Sequence, residues 1–264
     1  MEPTDTNPNL IHTSIWDEEC EPDNPFATRA AFCHGYDVYG ATLGQASATD
    51  MLFLLLRGEP PAPRQARLLN VLAVALANPG PRDPSIHAAM CGGVAGSTAA
   101  ATLSAALAVG AGGNGGAREV LLAMQAWRAC ATDLAAWKAH IAAPPDSAAS
   151  IWPVQEHVPG FDPHGTSCTT IVRQSLAAMA ALDVGPELAW LEQQRPALEA
   201  AAGRPLAMAG VAAAALHALG FSAAQGEMLF LLLRLPGAVA HALEQTELGF
   251  RKFPFYTIEL EKQA

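Results

Sequence analysis

At 264 residues the chain is long enough for one large core or two unequal domains, and with 51% hydrophobic and only 15% charged residues much of it must be buried. A formal charge of −10 and the lack of a basic stripe exclude a general nucleic-acid or membrane-surface module, both of which need clustered cations. Five cysteines with no CxxC pair, and a polar start (Met1, Glu2, Pro3, Thr4, Asp5), argue against a disulfide framework and a signal peptide and point to a reduced, cytoplasmic chain. Aromatics make up 6% and alanine is abundant, which favours an all-α fold.

Residues Met1 to Pro25 hold no period and read as an extended arm, with Ile15 and Trp16 available to a partner subunit or simply frayed. FCHGYDVY, Phe32 to Tyr39, suits a small hairpin or an extended segment, and His34 on it reads by itself as a surface histidine. Ser47 to Arg57 begins with capping residues and is apolar on all sides, the pattern of a deeply packed helix. A second helix from Pro63 to Ala77 is stopped by Pro79, Pro81 and Pro84. Arg82 in that loop is a carboxylate ligand or a solvated arginine.

From Ala88 to Val120 no charge appears before Arg118, and small residues dominate, so the run reads as one buried helix against which neighbours approach closely. Its glycines and hydroxyls make it far less oily than a bilayer span. It empties into GGNGGA, Gly112 to Ala117, a turn whose glycines let backbone approach a ligand. His87 and Cys91 share a helix face, but two ligands are too few for a metal without Cys33 and His34, and ordinary buried Cys and His is the reading adopted.

Arg118 to Ile141 reads as one helix, and Ala142 to Ala149 as a flexible connector or a lid. PGFDPHGTSC then puts Asp162, His164, Thr166, Ser167 and Cys168 in one loop, which is either an acid–base–nucleophile set or an Asp-Pro turn leading into a capped helix from Cys168 to Leu182. Further helices are expected over Gly185 to Ala202, Leu206 to Leu219, and one or two over Phe221 to Gln245. The tail from Gly249 to Leu260 looks extended.

Taken together, GYDVYG (Gly35 to Gly40), MLFLLLRGEPPAPRQARLL (Met51 to Leu69), ANPGPRDPS (Ala77 to Ser85), the Ala-rich stretch ending in GGNGGA, PGFDPHG (Pro159 to Gly165) and FLLLRLPGAVAHALEQ (Phe230 to Gln245) form an ordered set that resembles the citrate synthase superfamily, in its short citryl-CoA lyase type. The resemblance runs from Phe32 to Tyr256 and shows no family pattern between Leu121 and His157. It implies a citrate-synthase-like large helical domain (residues 31–117 and 206–264) and a smaller one (118–205), with a cleft between them and an arm over residues 1–30. It also implies dimers, either homodimers or heteromers with an intact homologue, and the making or breaking of a carbon–carbon bond beside a CoA thioester and a carboxylate substrate. No tightly bound cofactor and no metal are expected; a CoA thioester would enter as substrate.

That chemistry needs a carboxylate base and two donors to developing oxyanions. The resemblance puts Asn114 where the family has its first histidine, Pro163 at the second and Ala209 at the acid, with Ala207 in place of an amide. His164 falls one residue late. Asn78 and Pro79 replace an Asp-His pair, and the basic residues that would trail the second histidine are absent until Arg173. Asn114 still donates a hydrogen bond, and alanine cannot be a base. The candidate set is therefore Asn114 and His164 for catalysis, with Arg234, Arg251, Arg82, His34, Gly115 and Gly116 for binding a small carboxylate or acyl-CoA ligand. Arg234, at the end of an apolar run, is either the carboxylate arginine of the pocket or half of a structural ion pair. The two functional readings are an enzyme with altered or lost activity and a non-catalytic binding or partner subunit.

Overall fold

The computed structural model describes residues 12–143, 157–254 and 256. The chain divides into two compact units, one up to Ala66 and one from Arg67 onward.

In the first unit, strands β1 (Trp16–Glu21), β2 (Asn24–Cys33) and β3 (Tyr36–Asp37) form an antiparallel sheet in that order, with Trp16 opposite Cys33. Residues 1–11 of the expected arm lie outside the described residues; from Trp16 it forms the edge strand and part of β2, so that its boundary at residue 30 falls inside β2. Cross-strand polar pairs that a reading of hydrophobic period misses hold the ribbon: Arg29 to Glu19 at 2.5 Å and Thr28 to Glu18 at 3.0 Å. The β2–β3 hairpin agrees with the small hairpin expected around Phe32. A π-helical turn, Val38–Thr42, leads to α1 (Ala48–Arg57), which opens with a Ser47–Asp50 capping box. Only Phe53 and Leu54 of α1 are fully buried, fewer than its all-round apolar character predicts.

Helix α2 (Pro63–Leu76) carries the boundary between the units. The single long helix expected from Ala88 is two, α3 (Pro84–Val94) and α4 (Ala99–Gly110), because Thr98 turns extended and its hydroxyl accepts from the Ala101 amide as a new N-cap. Much of α4 is exposed rather than buried. The helix expected from Arg118 to Ile141 is also two, α5 (Ala117–Cys130) and α6 (Leu134–Ala142), parted at Ala131 with φ +46° and restarted by Asp133, whose carboxylate caps Ala135 and Ala136. Helices α7 (Thr170–Ala180), α8 (Pro186–Ala202), α9 (Met208–Ala218) and α10 (Ala223–Leu248) complete the unit. A 3₁₀ turn, Phe250–Lys252, starts the tail that was expected to be extended. Most of the connector from Ala142 and the end of the tail lie outside the described residues. The fold is all-α apart from the small sheet.

The core of the second unit is built on α9, in which every residue from Ala209 to Leu216 is buried, and it packs against α5, α7, α8 and α10. Trp127 of α5, Trp137 of α6 and Trp190 of α8 form an edge-to-face cluster beside it, with centroids 5.0 and 5.6 Å from Trp127. Helices α3, α4 and α10 close over Ile86, Ala89, Ala106, Ala238 and Ala242. Within α10, Pro236 removes one ladder donor, and the next amide, that of Gly237, donates to Ala77 O at the end of α2 at 2.7 Å. By length and composition α10 would span a bilayer, but here it packs against α3, α4 and α5.

Helices α3 and α10 cross so closely that a Cβ on Gly93 would stand 2.2 Å from the carbonyl oxygen of Ala242. Gly93→Ala is therefore expected to force the helices apart and to lower stability by about 1–3 kcal/mol, measured by chemical denaturation. An unchanged midpoint would contradict the close crossing.

Candidate active site

Four stretches meet in the second unit through one carboxylate. Glu119, in the first turn of α5, is only 1% exposed. Its Oε2 accepts from the Gly115 amide at 2.5 Å and its Oε1 from the Gly160 amide at 2.8 Å. The GGNGG turn and the PGFD loop, 41 residues apart at the Glu119–Gly160 bond, are thereby held to one side chain. The PGFD loop in turn pairs with the segment that opens α9: Phe161 bridges Leu206, Asp162 N donates to Pro205 O at 2.8 Å, and Ala207 N donates to Gly160 O at 2.9 Å. This contact tolerates no side chain, since a Cβ on Gly210 would lie 2.4 Å from Gly160 O. Asn114, Pro163 and Ala209 thus belong to segments the fold joins at one place.

On the other side of the glycine turn, Arg234 of α10 donates through Nη1 to Gly115 O at 3.3 Å. Its Nη2 meets Asp83 Oδ2, and its guanidinium lies 4.8 Å from the Phe230 ring centroid. Arg234 is 6% exposed; burial lowers its pKa from the ordinary arginine value, and Asp83 acts against that shift. Asp83 is the N-cap of α3, with Oδ1 accepting from Ser85 N and Ile86 N. A hydrogen-bonded chain therefore runs from Asp83 through Arg234, Gly115, Glu119 and Gly160 to Ala207. His157 lies against it, its side chain 2% exposed and its Nε2 3.5 Å from Glu119 Oε1, a charge-range contact without hydrogen-bond geometry.

The other expected site residues lie apart from this chain. Arg82 is exposed, and Arg251 is exposed with its guanidinium 6.0 Å from the Phe250 centroid. His34 belongs to the first unit, where its Nε2 is 3.3 Å from Leu55 O. The PGFDPHGTSC loop takes the turn arrangement rather than the catalytic one. Asp162 Oδ1 accepts from the His164 amide at 2.9 Å, the His164 ring is exposed, and Cys168 is buried, its thiol pushed above the usual cysteine value by that burial. The cap of α7 is Thr169, so that the helix starts at Thr170 rather than at Cys168. His87 stacks on Phe253 at 5.9 Å and lies 3.4 Å from the Tyr256 hydroxyl, and Cys91 is exposed.

Three residues of the chain of contacts escape a motif-based reading: Glu119, His157 and Asp83. Two carried a usable signal. Glu119 stands at the third position of a helix that begins after Gly116, where a glutamate reaches back to free amides. Asp83 precedes Pro84 in the N-cap and N1 pattern. For His157 the sequence offers no comparable pattern.

No family model matches this sequence, and no curated protein does. Solved structures do match. Citryl-CoA lyase from Hydrogenobacter thermophilus superposes with a TM-score of 0.70 at 18% identity, over 97% of this chain and 97% of that one. This chain has the citryl-CoA lyase fold. Two ATP citrate lyases share it: the Methanosaeta concilii D541A mutant in complex with (3S)-citryl-CoA (TM-score 0.69, 16% identity) and the Methanothrix soehngenii enzyme in complex with citrate and coenzyme A (TM-score 0.70, 17% identity). The chain is covered over 96% and 97% in these matches but spans only 42% of either ATP citrate lyase chain. The citryl-CoA lyase fold is thus present here nearly end to end.

Two expectations follow from this geometry. Glu119→Ala should strand the buried Gly160 amide, a loss of about 1–3 kcal/mol for that group alone, and speed hydrogen exchange at Gly115 and Gly160 together; protection that persists at both would remove the clamp. With an excess of thiol reagent at neutral pH, the exposed Cys20 and Cys91 should react promptly, while the buried Cys33, Cys130 and Cys168 should wait for unfolding. Rapid labelling of Cys168 in the native protein would reopen it as a nucleophile.

Proposed function

We propose that this chain is a citryl-CoA-lyase-like protein whose scaffold once made or broke a carbon–carbon bond between a CoA thioester and a small carboxylate, and whose activity is altered or lost. The observation that carries the reading is the Glu119 clamp. It gathers the GGNGG turn, the PGFD loop and the start of α9 into one place, on a fold similar to citryl-CoA lyase over almost the full length of both chains.

At that place the three positions that the resemblance assigns to proton transfer carry other residues. Ala209 offers no base, Pro163 no side-chain donor, and Asn114 a hydrogen bond without titration. Glu119 does not replace the base in this reading: it is 1% exposed and turned to the Gly115 and Gly160 amides. Loss of a general base lowers a rate by about 10²–10⁴-fold, and loss of an oxyanion donor by about 10²–10³-fold. Asn114 and the backbone of Gly115 and Gly116 contact the ligand in this reading, and the exposed Arg82 and Arg251 supply cations that draw an acyl-CoA or carboxylate inward. His164 is a rim residue. A CoA thioester binds reversibly as ligand, not as a resident cofactor.

A second reading, that of a partner subunit, draws on a separate observation. The α3–α4 hairpin carries no charged residue from Pro84 to Ala117, and Val109, Met228, Leu232 and Leu243 are exposed on α4 and α10. A charge-free, small-residue surface of this kind suits close packing with another subunit, either a second copy or an intact homologue. Free cysteines agree with a cytoplasmic setting.

Incubation with citryl-CoA should form oxaloacetate and acetyl-CoA, and incubation with oxaloacetate and acetyl-CoA should consume both, at least about 10⁴-fold more slowly than in a base-equipped enzyme, as the missing groups predict. Acetyl-CoA should still raise the melting temperature of the protein. Fast turnover that persists in Asn114→Ala would overturn the assignment of the site.

A further inference from the structure

The hydrogen-bonded chain across the cleft floor contains one fixed cation, Arg234, and two carboxylates, Asp83 and Glu119. A buried guanidinium beside an exposed glycine turn is the group that would ordinarily seize an anionic ligand. Here the place is taken. Asp83 Oδ2 sits on Arg234 Nη2, and Nη1 is turned to Gly115 O.

Asp83 is also anchored at its other oxygen. Oδ1 accepts from the Ser85 amide at 2.9 Å, the Ser85 hydroxyl at 2.5 Å and the Ile86 amide at 3.4 Å. The carboxylate cannot swing off Arg234 without uncapping α3, which already holds the first residues of that helix. Beyond the guanidinium the wall is apolar: the small cavity that Ser85 and Arg234 share is closed by Ala106, Leu107, Leu231 and Leu235. A ligand carboxylate arriving there would be a second anion on a guanidinium already paired with Asp83, with no other described charge in the cavity lining to meet it.

We propose that Asp83 is a specificity residue, a built-in counter-carboxylate that closes Arg234 to anionic groups, so that the cleft floor accepts an uncharged polar group such as a carbonyl or hydroxyl. The proposal rests on the reading of this cleft as the ligand site and narrows the substrate class. The ligand carries its charge elsewhere. A structural ion pair with no bearing on ligand choice would leave anion binding indifferent to Asp83.

Asp83→Asn separates the two, since asparagine caps a helix about as well as aspartate and only the charge is removed. Citrate is the probe, titrated by calorimetry into the full chain at constant ionic strength, with thermal melting in parallel. The wild-type protein should bind citrate only in the millimolar range or weaker. Asp83→Asn should bind it at least tenfold more tightly, melt at a lower temperature without citrate, and regain that loss when citrate is added. Asp83→Ser, which also keeps a capping oxygen, should behave the same way, and the gain should vanish in Asp83→Asn combined with Arg234→Gln. Equal affinity in wild type and both variants, including no binding in any of them, overturns the proposal, as does tight wild-type binding that is lost in Asp83→Asn. Failure of the broader reading would appear instead in the acetyl-CoA melting shift, which this titration does not involve.

Discussion

A carboxylate sealed from water is tolerable only when its lone pairs are met, and in this protein the requirement is turned into architecture. Glu119 satisfies its two oxygens with amides from two loops that no secondary structure would otherwise unite. The glycine turn, the proline-glycine loop and the entrance to α9 then stand in fixed relation because each borrows a partner from its neighbour. A side chain one methylene shorter would have to abandon one loop or pull both inward.

The helices allow this because they are thin. Alanine and glycine along α3, α4, α9 and α10 let backbones approach until carbonyl oxygens nearly touch facing α-carbons, and short distances between helix axes bring their ends together. The same thinness makes the apolar gain per residue modest, so stability leans on dense packing and on the tryptophan cluster around Trp127. Through their polar contacts Glu119 and Arg234 each join segments far apart in sequence.

Long features were legible in the sequence and short ones were not. The all-α character, the hairpin near Phe32, and the helices from Pro63, Gly185 and Leu206 could be read from composition, capping residues and prolines, within a residue or two of where they lie. The ordered motifs identified a fold that neighbours at 16–18% identity share. What failed was the division of uniform stretches: in an alanine-rich run, period and hydrophobicity barely change across Ser97 and Thr98 or across Ala131 to Asp133, so the breaks were set by single caps. The acidic ribbon of β1 was missed because its order comes from cross-strand partners that a local window does not contain. At the site, residues expected on the strength of motifs divided according to whether their neighbours bind them: Gly115 and Arg234 are tied in, and His164 is left at the surface. The partners that tie them, Glu119 and Asp83, are ordinary capping residues in sequence and become important only through contacts 41 and 151 residues away.

The Gly237 amide that leaves its own helix for Ala77 has a bearing on how the molecule is assembled. Together with Arg234 and the Gly93–Ala242 crossing, it makes the last long helix the lock for pieces synthesised far earlier. During translation Asp83 would wait without its guanidinium, α2 without the donor for its final carbonyl, and the α3–α4 hairpin without its cover, until α10 has emerged. Such late, long-range closure slows folding and leaves apolar helical surface bare in the meantime.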